Sequence, residues 1–349
     1  MNTYQCICNN RLFFNNTVCV SCAREVAWCE ACRTVAAIEP QNGGYHCLNP
    51  NCGATVVKCR NYSDEQVCNR VLVPSPLSAE EGLCKACRLN DVIPDLAVAG
   101  NRERWAKLEL AKRRLLYQLD ELDLKYAPED VGDEQPLVFD FKAGTPEATV
   151  LTGHADGRIT INIDEADSVE RERVRKQMHE PHRTLIGHMR HEVGHYYWMT
   201  LVAGKCEDQC NAVFGDYRNP PYTEALQKYY ETGPATDWQA HFVSAYATAH
   251  PWEDFAETWG FYCDMWAVLT TMSHHLPGRA PDPRAFSIEA LASTYQQLGI
   301  FFNEVNRTMG LKDLVPEVIT PEVIKKLAFV DSLVGRAQTV ETIPVAAAG

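Results

Sequence analysis

Twelve of the fifteen cysteines in this chain lie before residue 88, in three groups of four: Cys6, Cys8, Cys19 and Cys22; Cys29, Cys32, Cys47 and Cys52; Cys59, Cys68, Cys84 and Cys87. Each group contains a Cys-x-x-Cys pair, whose tight turn lets two thiolates reach one tetrahedral metal ion. Between them the chain is short apolar pieces broken by Asn, Gly and Pro, as at Asn42-Gly43-Gly44 and Asn49-Pro50-Asn51. Such a stretch buries too little surface to fold alone, so the spacing predicts up to three structural zinc ions holding residues 1–98 as an array of ribbons. The grouping by order leaves open an exchange of ligands between neighbouring sites. Disulfides are the alternative use of the same residues. The N-terminus MNTYQCICNNRLFF lacks a basic start followed by a long apolar run, so the expected compartment is the reducing cytoplasm, where thiols favour metal. Four thiolates leave no position for water, so catalysis is not expected here, and a protein partner is the binding role open to the ribbons. Cys206, Cys210 and Cys263 have no ligand spacing.

A second metal pattern stands at His191-Glu192-Val193-Gly194-His195. On a helix, four-residue spacing puts both imidazoles on one face a turn apart, and Glu192 beside the metal can take a proton from water. Gly at 198 and His at 201 would make a metzincin, but Trp198 and Leu201 stand there. About sixty residues on, the run from His250 to Trp259 places Pro251 in a first helical turn and Glu253 and Glu257 one turn apart. This is the gluzincin type of arrangement, with Glu253 as third ligand and Glu257 orienting a ligand histidine. His188, three residues before His191, reads as a packed or hydrogen-bonded histidine, and His179 and His182 as loop residues.

The remaining chain places these motifs. Residues 1–126 carry 15 Lys+Arg against 14 Asp+Glu and the rest 18 against 32, so a net charge of −13 gives no basic footprint for nucleic acid. No run is long and apolar enough to predict a membrane span. Apolar residues at three- and four-residue spacing from Trp105 to Tyr126 predict a connecting helix within 99–130, with a solvated basic face at Lys107, Lys112, Arg113 and Arg114. Alternation predicts strands at 138–141, 148–152 and 158–163, the last as a sheet edge able to pair with an extended peptide. A charged helix from Ser168, a loop-bearing insertion over 206–234, a capped helix over 236–249 and closing helices at 287–309 and 321–334 follow, with a disordered tail at 338–349. The expected architecture is α+β: zinc ribbons, then a mainly helical zincin-like domain over 131–337 with a small β-sheet.

The segments LFFNNTVCVSC (12–22), RHEVGHYYW (190–198) and SAYATAHPWEDFAETW (244–259) resemble bacterial proteins that join a zinc ribbon to a zinc-binding metallopeptidase domain. The resemblance covers nearly the whole chain and implies a peptidase. A shorter likeness, to lethal-factor-type metallopeptidases, covers about a dozen residues. There a ligand Glu is followed by a second Glu after four positions and preceded by an active-site Tyr by seven, which implies Tyr246 as a donor to the oxyanion. Asp254 departs from that pattern, where the family has an aromatic. The leading expectation is peptide hydrolysis with one catalytic zinc on His191, His195 and Glu253, Glu192 as base and a peptide or protein as substrate. A ribbon adaptor with a vestigial metal site, or a hydrolase of non-peptide amides, is the alternative; the intact Glu192 weighs against the first.

Overall fold

The computed structural model describes residues 1–75, 82–129, 132, 135–145, 148–168, 171, 184–276 and 282–335. They divide into two compact units, Met1–Tyr117 with Lys125–Glu172, and Gln118–Leu124 with Arg173–Gly349. The fold is mixed α and β: a cysteine-rich ribbon region, then a mostly helical part with some sheet.

In the first unit β1 (Tyr4–Gln5) and β2 (Arg11–Leu12) pair as a hairpin. Strands β3 (Val26–Cys29), β4 (Thr34–Gln41), β5 (Gly44–Cys47), β6 (Thr55–Lys58) and β7 (Arg70–Leu72) close into a small barrel. Closure leaves no free strand edge in a region too short to cover one. Its core centres on Trp28, whose ring lies 5.8 Å from Tyr4, 5.2 Å from Phe14 and 5.6 Å from Tyr117. Tyr117 comes from helix α1 (Asn101–Glu121), so a helix completes a core that the short strands cannot fill. Losing a ring such as Trp28 would cost about 3–5 kcal/mol.

The basic face of α1 differs from expectation. Lys107 is exposed, but Lys112 is fully buried and Arg113 nearly so. The Lys112 ammonium lies 2.9 Å from Glu109, which also accepts from the Asn90 amide at 2.6 Å and the Trp105 indole at 3.2 Å. The buried cation is tolerated because it is paired, and all three donors converge on Glu109 Oε1.

A second sheet in this unit has the order β10 (Gly153–Ala155), β11 (Arg158–Asn162), β9 (Val138–Lys142), β8 (Asn90–Val92). The expected edge at 158–163 is therefore interior: β11 runs parallel to β9 and antiparallel to β10. Asp156 (φ 48°) and Gly157 (φ 82°) form the tight turn that folds β10 back onto β11. Residues 148–152 form no strand, because side chains take over the pairing there. The Asn162 N–H donates to the Thr152 hydroxyl at 3.0 Å and the Asn162 amide to the Val150 carbonyl at 3.2 Å.

The second unit is built from α2 (Leu185–Tyr197), α3 (Glu207–Phe214), α4 (Tyr222–Thr232), α5 (Pro251–His275), α6 (Ile288–Thr308) and α7 (Pro321–Val334). Thr184 caps α2 by accepting from Gly187 N at 3.0 Å, and His250 caps α5 by accepting from Trp252 N at 3.1 Å. Gly194 lets these two helices meet: a Cβ there would stand 2.9 Å from Ala256 Cα and 3.1 Å from Trp259 Cβ. Helices α3 and α4 occupy the expected insertion; its Gly and Pro residues fall in their connection, at Gly215 and Pro220-Pro221, and just after α4, at Gly233-Pro234. The helix expected over 236–249 breaks after Trp238–His241, where Phe242 is extended (φ −131°, ψ 153°), and resumes as a tight turn at Tyr246–Ala249. Among the described residues no helix is long and apolar enough to cross a membrane. His179, His182, most of the charged segment after Ser168 and the tail 338–349 lie outside the described residues.

Candidate metal centre

Helices α2 and α5 bring His191, His195 and Glu253 together, all buried. The two histidine Nε2 atoms are 3.2 Å apart, and Glu253 Oε2 lies 3.1 Å from that of His191 and 3.5 Å from that of His195. Tetrahedral bonds of about 2.05 Å to one zinc would set such donors about 3.3 Å apart. Two imidazoles and a carboxylate at that separation fit a zinc ion with one position left over.

Each carboxylate around this triad has at least one oxygen held by a side chain. Glu253 Oε1 accepts from the Tyr222 hydroxyl at 2.6 Å, leaving Oε2 toward the histidines. Glu257 Oε1 accepts a hydrogen bond from His191 Nδ1–H at 2.6 Å, which leaves Nε2 of that ring free of the proton and facing His195 and Glu253. Its Oε2 accepts from Ser244 at 2.6 Å, and Ser244 in turn accepts from Ala247 N at 3.1 Å. Glu192 Oε1 lies 3.2 Å from His188 Nε2, so His188 is hydrogen-bonded there and lies outside the three-residue group. Burial works to raise the Glu192 carboxyl, but the His188 hydrogen bond and the nearby imidazoles outweigh it and hold it below the usual carboxylate value. Glu257 is lowered in the same way, with burial opposed by His191 and Ser244.

Aromatic rings pack around these side chains. Trp252 packs at 3.9 Å from the His195 ring, and Trp198, in a π-helical turn at Trp198–Val202 directly after α2, packs on Tyr217 at 4.7 Å. Tyr246 lies on the His191 side, ring centroids 6.0 Å apart, and 5.7 Å from Tyr229. Asp254 is tied up elsewhere, 2.6 Å from Lys326 of α7; burial pushes its carboxyl up to about 7 against the pull of that cation. Lys326 also donates to the His241 carbonyl at 2.7 Å. The departure from the lethal-factor pattern is thus a helix-to-helix ion pair.

The twelve N-terminal cysteines gather into three quartets, grouped as they follow in the chain: Cys6, Cys8, Cys19, Cys22; Cys29, Cys32, Cys47, Cys52; Cys59, Cys68, Cys84, Cys87. Sulfur separations are 3.7 Å (Cys6–Cys22), 3.6 Å (Cys8–Cys19), 3.9 Å (Cys29–Cys52 and Cys32–Cys47) and 3.8 Å (Cys68–Cys84). A tetrahedron of Zn–S bonds of about 2.3 Å has edges of about 3.8 Å, whereas a disulfide is about 2.05 Å. Backbone N–H groups of Cys22 and Ser21 pull Cys19 down to about 6, while burial pushes Cys6 up to about 12. Four thiols this close cannot all ionise without a cation among them. Cys206, Cys210 and Cys263 belong to no quartet.

Spacing pointed to His191, Glu192, His195, Glu253 and Glu257, because each pair sits on one helix. Tyr222 and Ser244 were missed; they reach the site from a separate helix and from a loop, and no sequence period links them to Glu253 or Glu257.

Residues 101–333 match a family model described as "Putative zinc-binding metallo-peptidase", and residues 3–98 match a zinc-ribbon domain. Proteins of Mycobacterium bovis and of two strains of Mycobacterium tuberculosis, each named as uncharacterized, are 36% identical over 338 residues, covering 94% of this chain and 93% of theirs. No solved structure matches. The chain therefore belongs to the family described as putative zinc-binding metallopeptidases, in a form headed by a zinc-ribbon domain.

Proposed function

We propose that the protein is a zinc-dependent peptidase of the cytoplasm, with the second unit carrying catalysis and the ribbon region held by three structural zinc ions. The observation that carries this reading is the donor set: three ligand atoms at tetrahedral separation, beside a carboxylate, Glu192, that is not one of them. A structural site has no use for such a base.

His191, His195 and Glu253 would hold the ion, which would supply a Lewis acid for a water and a scissile carbonyl. Glu192 accepts the proton of the attacking water and passes it to the leaving amine. Glu257 keeps His191 in the ligating tautomer through Nδ1. Tyr246 donates a hydrogen bond to the tetrahedral oxyanion. Its hydroxyl suits that task, having no hydrogen-bond partner among the described residues. Tyr222, by contrast, is committed to Glu253.

Comparing new protein N-termini in a lysate treated with the zinc-loaded protein or with its Glu192→Gln variant tests the reading. Cleavages present with the first and missing with the second are expected. Identical termini from both would overturn it.

A further inference from the structure

Glu192 is 5% exposed, and His188 is its one side-chain partner among the described residues. His188 stands one turn earlier on α2, its Nε2 3.2 Å from Glu192 Oε1. The same four-residue step that pairs His191 with His195 pairs His188 with Glu192, so two interleaved pairs run up one helix. The His188 side chain is 13% exposed and its ring lies 6.4 Å from that of His191, outside the ligand group.

A glutamate has three side-chain torsions, and one used as a base must present one oxygen in a fixed place. Glu253 and Glu257 each have an oxygen fixed by a hydroxyl, from Tyr222 and Ser244; for Glu192 His188 fills that part. We propose that His188 is a positioning residue for Glu192: it donates from Nε2 to Oε1, fixing the carboxylate so that Oε2 is the oxygen that meets the attacking water. In the step this serves, the water O–H bond breaks and its proton goes to Oε2, while the His188 proton stays on Nε2. The inference rests on Glu192 being the base. It assigns His188 no contact with substrate or metal.

Three variants test it: His188→Leu, which removes the donor, His188→Gln, which keeps one at a similar reach, and Glu192→Gln. The first readout is binding of acetohydroxamate to the zinc-loaded full chain by calorimetry, because a hydroxamate that chelates zinc gives its proton to the neighbouring carboxylate. His188→Leu should weaken it by roughly ten- to a hundredfold, as loss of an orienting partner does. His188→Gln should recover most of the loss, and zinc content should be the same in all. The second readout is turnover of a peptide found by the N-terminus comparison: His188→Leu should lower kcat by a similar factor with KM unchanged. Wild-type hydroxamate affinity in His188→Leu overturns the proposal, as does a loss that His188→Gln fails to recover. If hydroxamate binding follows the expected pattern but no peptide is cut, the peptidase reading falls and the role of His188 stands. If peptides are cut and His188→Leu equals wild type in both readouts, only the role of His188 falls.

Discussion

The third cysteine quartet and the His/Glu centre are equally buried, yet they are built in opposite ways. Cys59, Cys68, Cys84 and Cys87 lie at the ends of very short elements, where one shared ion would do much of the holding. His191, His195 and Glu253 stand on helices of 13 and 25 residues that already pack closely at Gly194 and Ala256. One site makes its surroundings; the other is made by them. Burial therefore does not set the two groups apart; the number of donor atoms and the hydrogen bonds behind them do.

The sharpest way to break this contrast is to remove a ligand from each side. Structural zinc in small ribbon domains is worth about 10–16 kcal/mol, so Cys84→Ser should abolish slow amide exchange across β3–β7 while α2 and α5 keep theirs. His191→Ala should leave slow exchange in both regions and should cost one zinc only. Ordered β3–β7 amides in zinc-free protein, followed by hydrogen exchange, would show that the ribbons do not depend on metal.

Next in size is the base. Glu192→Gln keeps shape and charge-independent packing but removes the basic oxygen, so turnover should fall roughly 10²- to 10⁴-fold at unchanged zinc content. No cysteine quartet has a residue whose loss would spare the metal and stop the chemistry. Tyr246→Phe should lose roughly 10²- to 10³-fold in kcat with little change in unfolding temperature. Near-normal turnover would leave the oxyanion donor to be found elsewhere.

These contrasts follow how the two regions could be read from sequence. The quartets and the His191, His195 and Glu253 set were legible because candidate ligands pair up within a short turn or along one helix, where their spacing is fixed. Partners brought in by tertiary folding have no such signature. Tyr222 arrives from α4, which itself lay in a stretch whose Gly and Pro residues read as loop. Ser244 sits just after the break at Phe242, inside the span 236–249 that reads as one capped helix. Lys112 looks the same in a helical period whether it meets water or Glu109. Strand 158–162 was legible as a strand but not as an interior one, since its neighbour β9 joins it by a parallel pairing with no tight turn to mark it.

The smallest effect expected is at Glu257. Glu257→Ala leaves three ligands in place but frees His191 Nδ1, so zinc affinity at this centre should fall roughly ten- to a hundredfold, and the quartets should be indifferent. Competition with a fluorescent zinc indicator measures it. If Glu257→Ala empties the centre while Glu253→Ala does not, the two acids have exchanged roles.

The most direct test of the whole account is to count zinc per chain by native mass spectrometry while a bidentate chelator is added and turnover is followed in the same samples. Three closed sites and one open one predict a chain that starts with four zinc ions, drops to three, and loses activity at that step with the ribbons intact. A chain that starts with three and still turns over, or that gives up all four together, would contradict it.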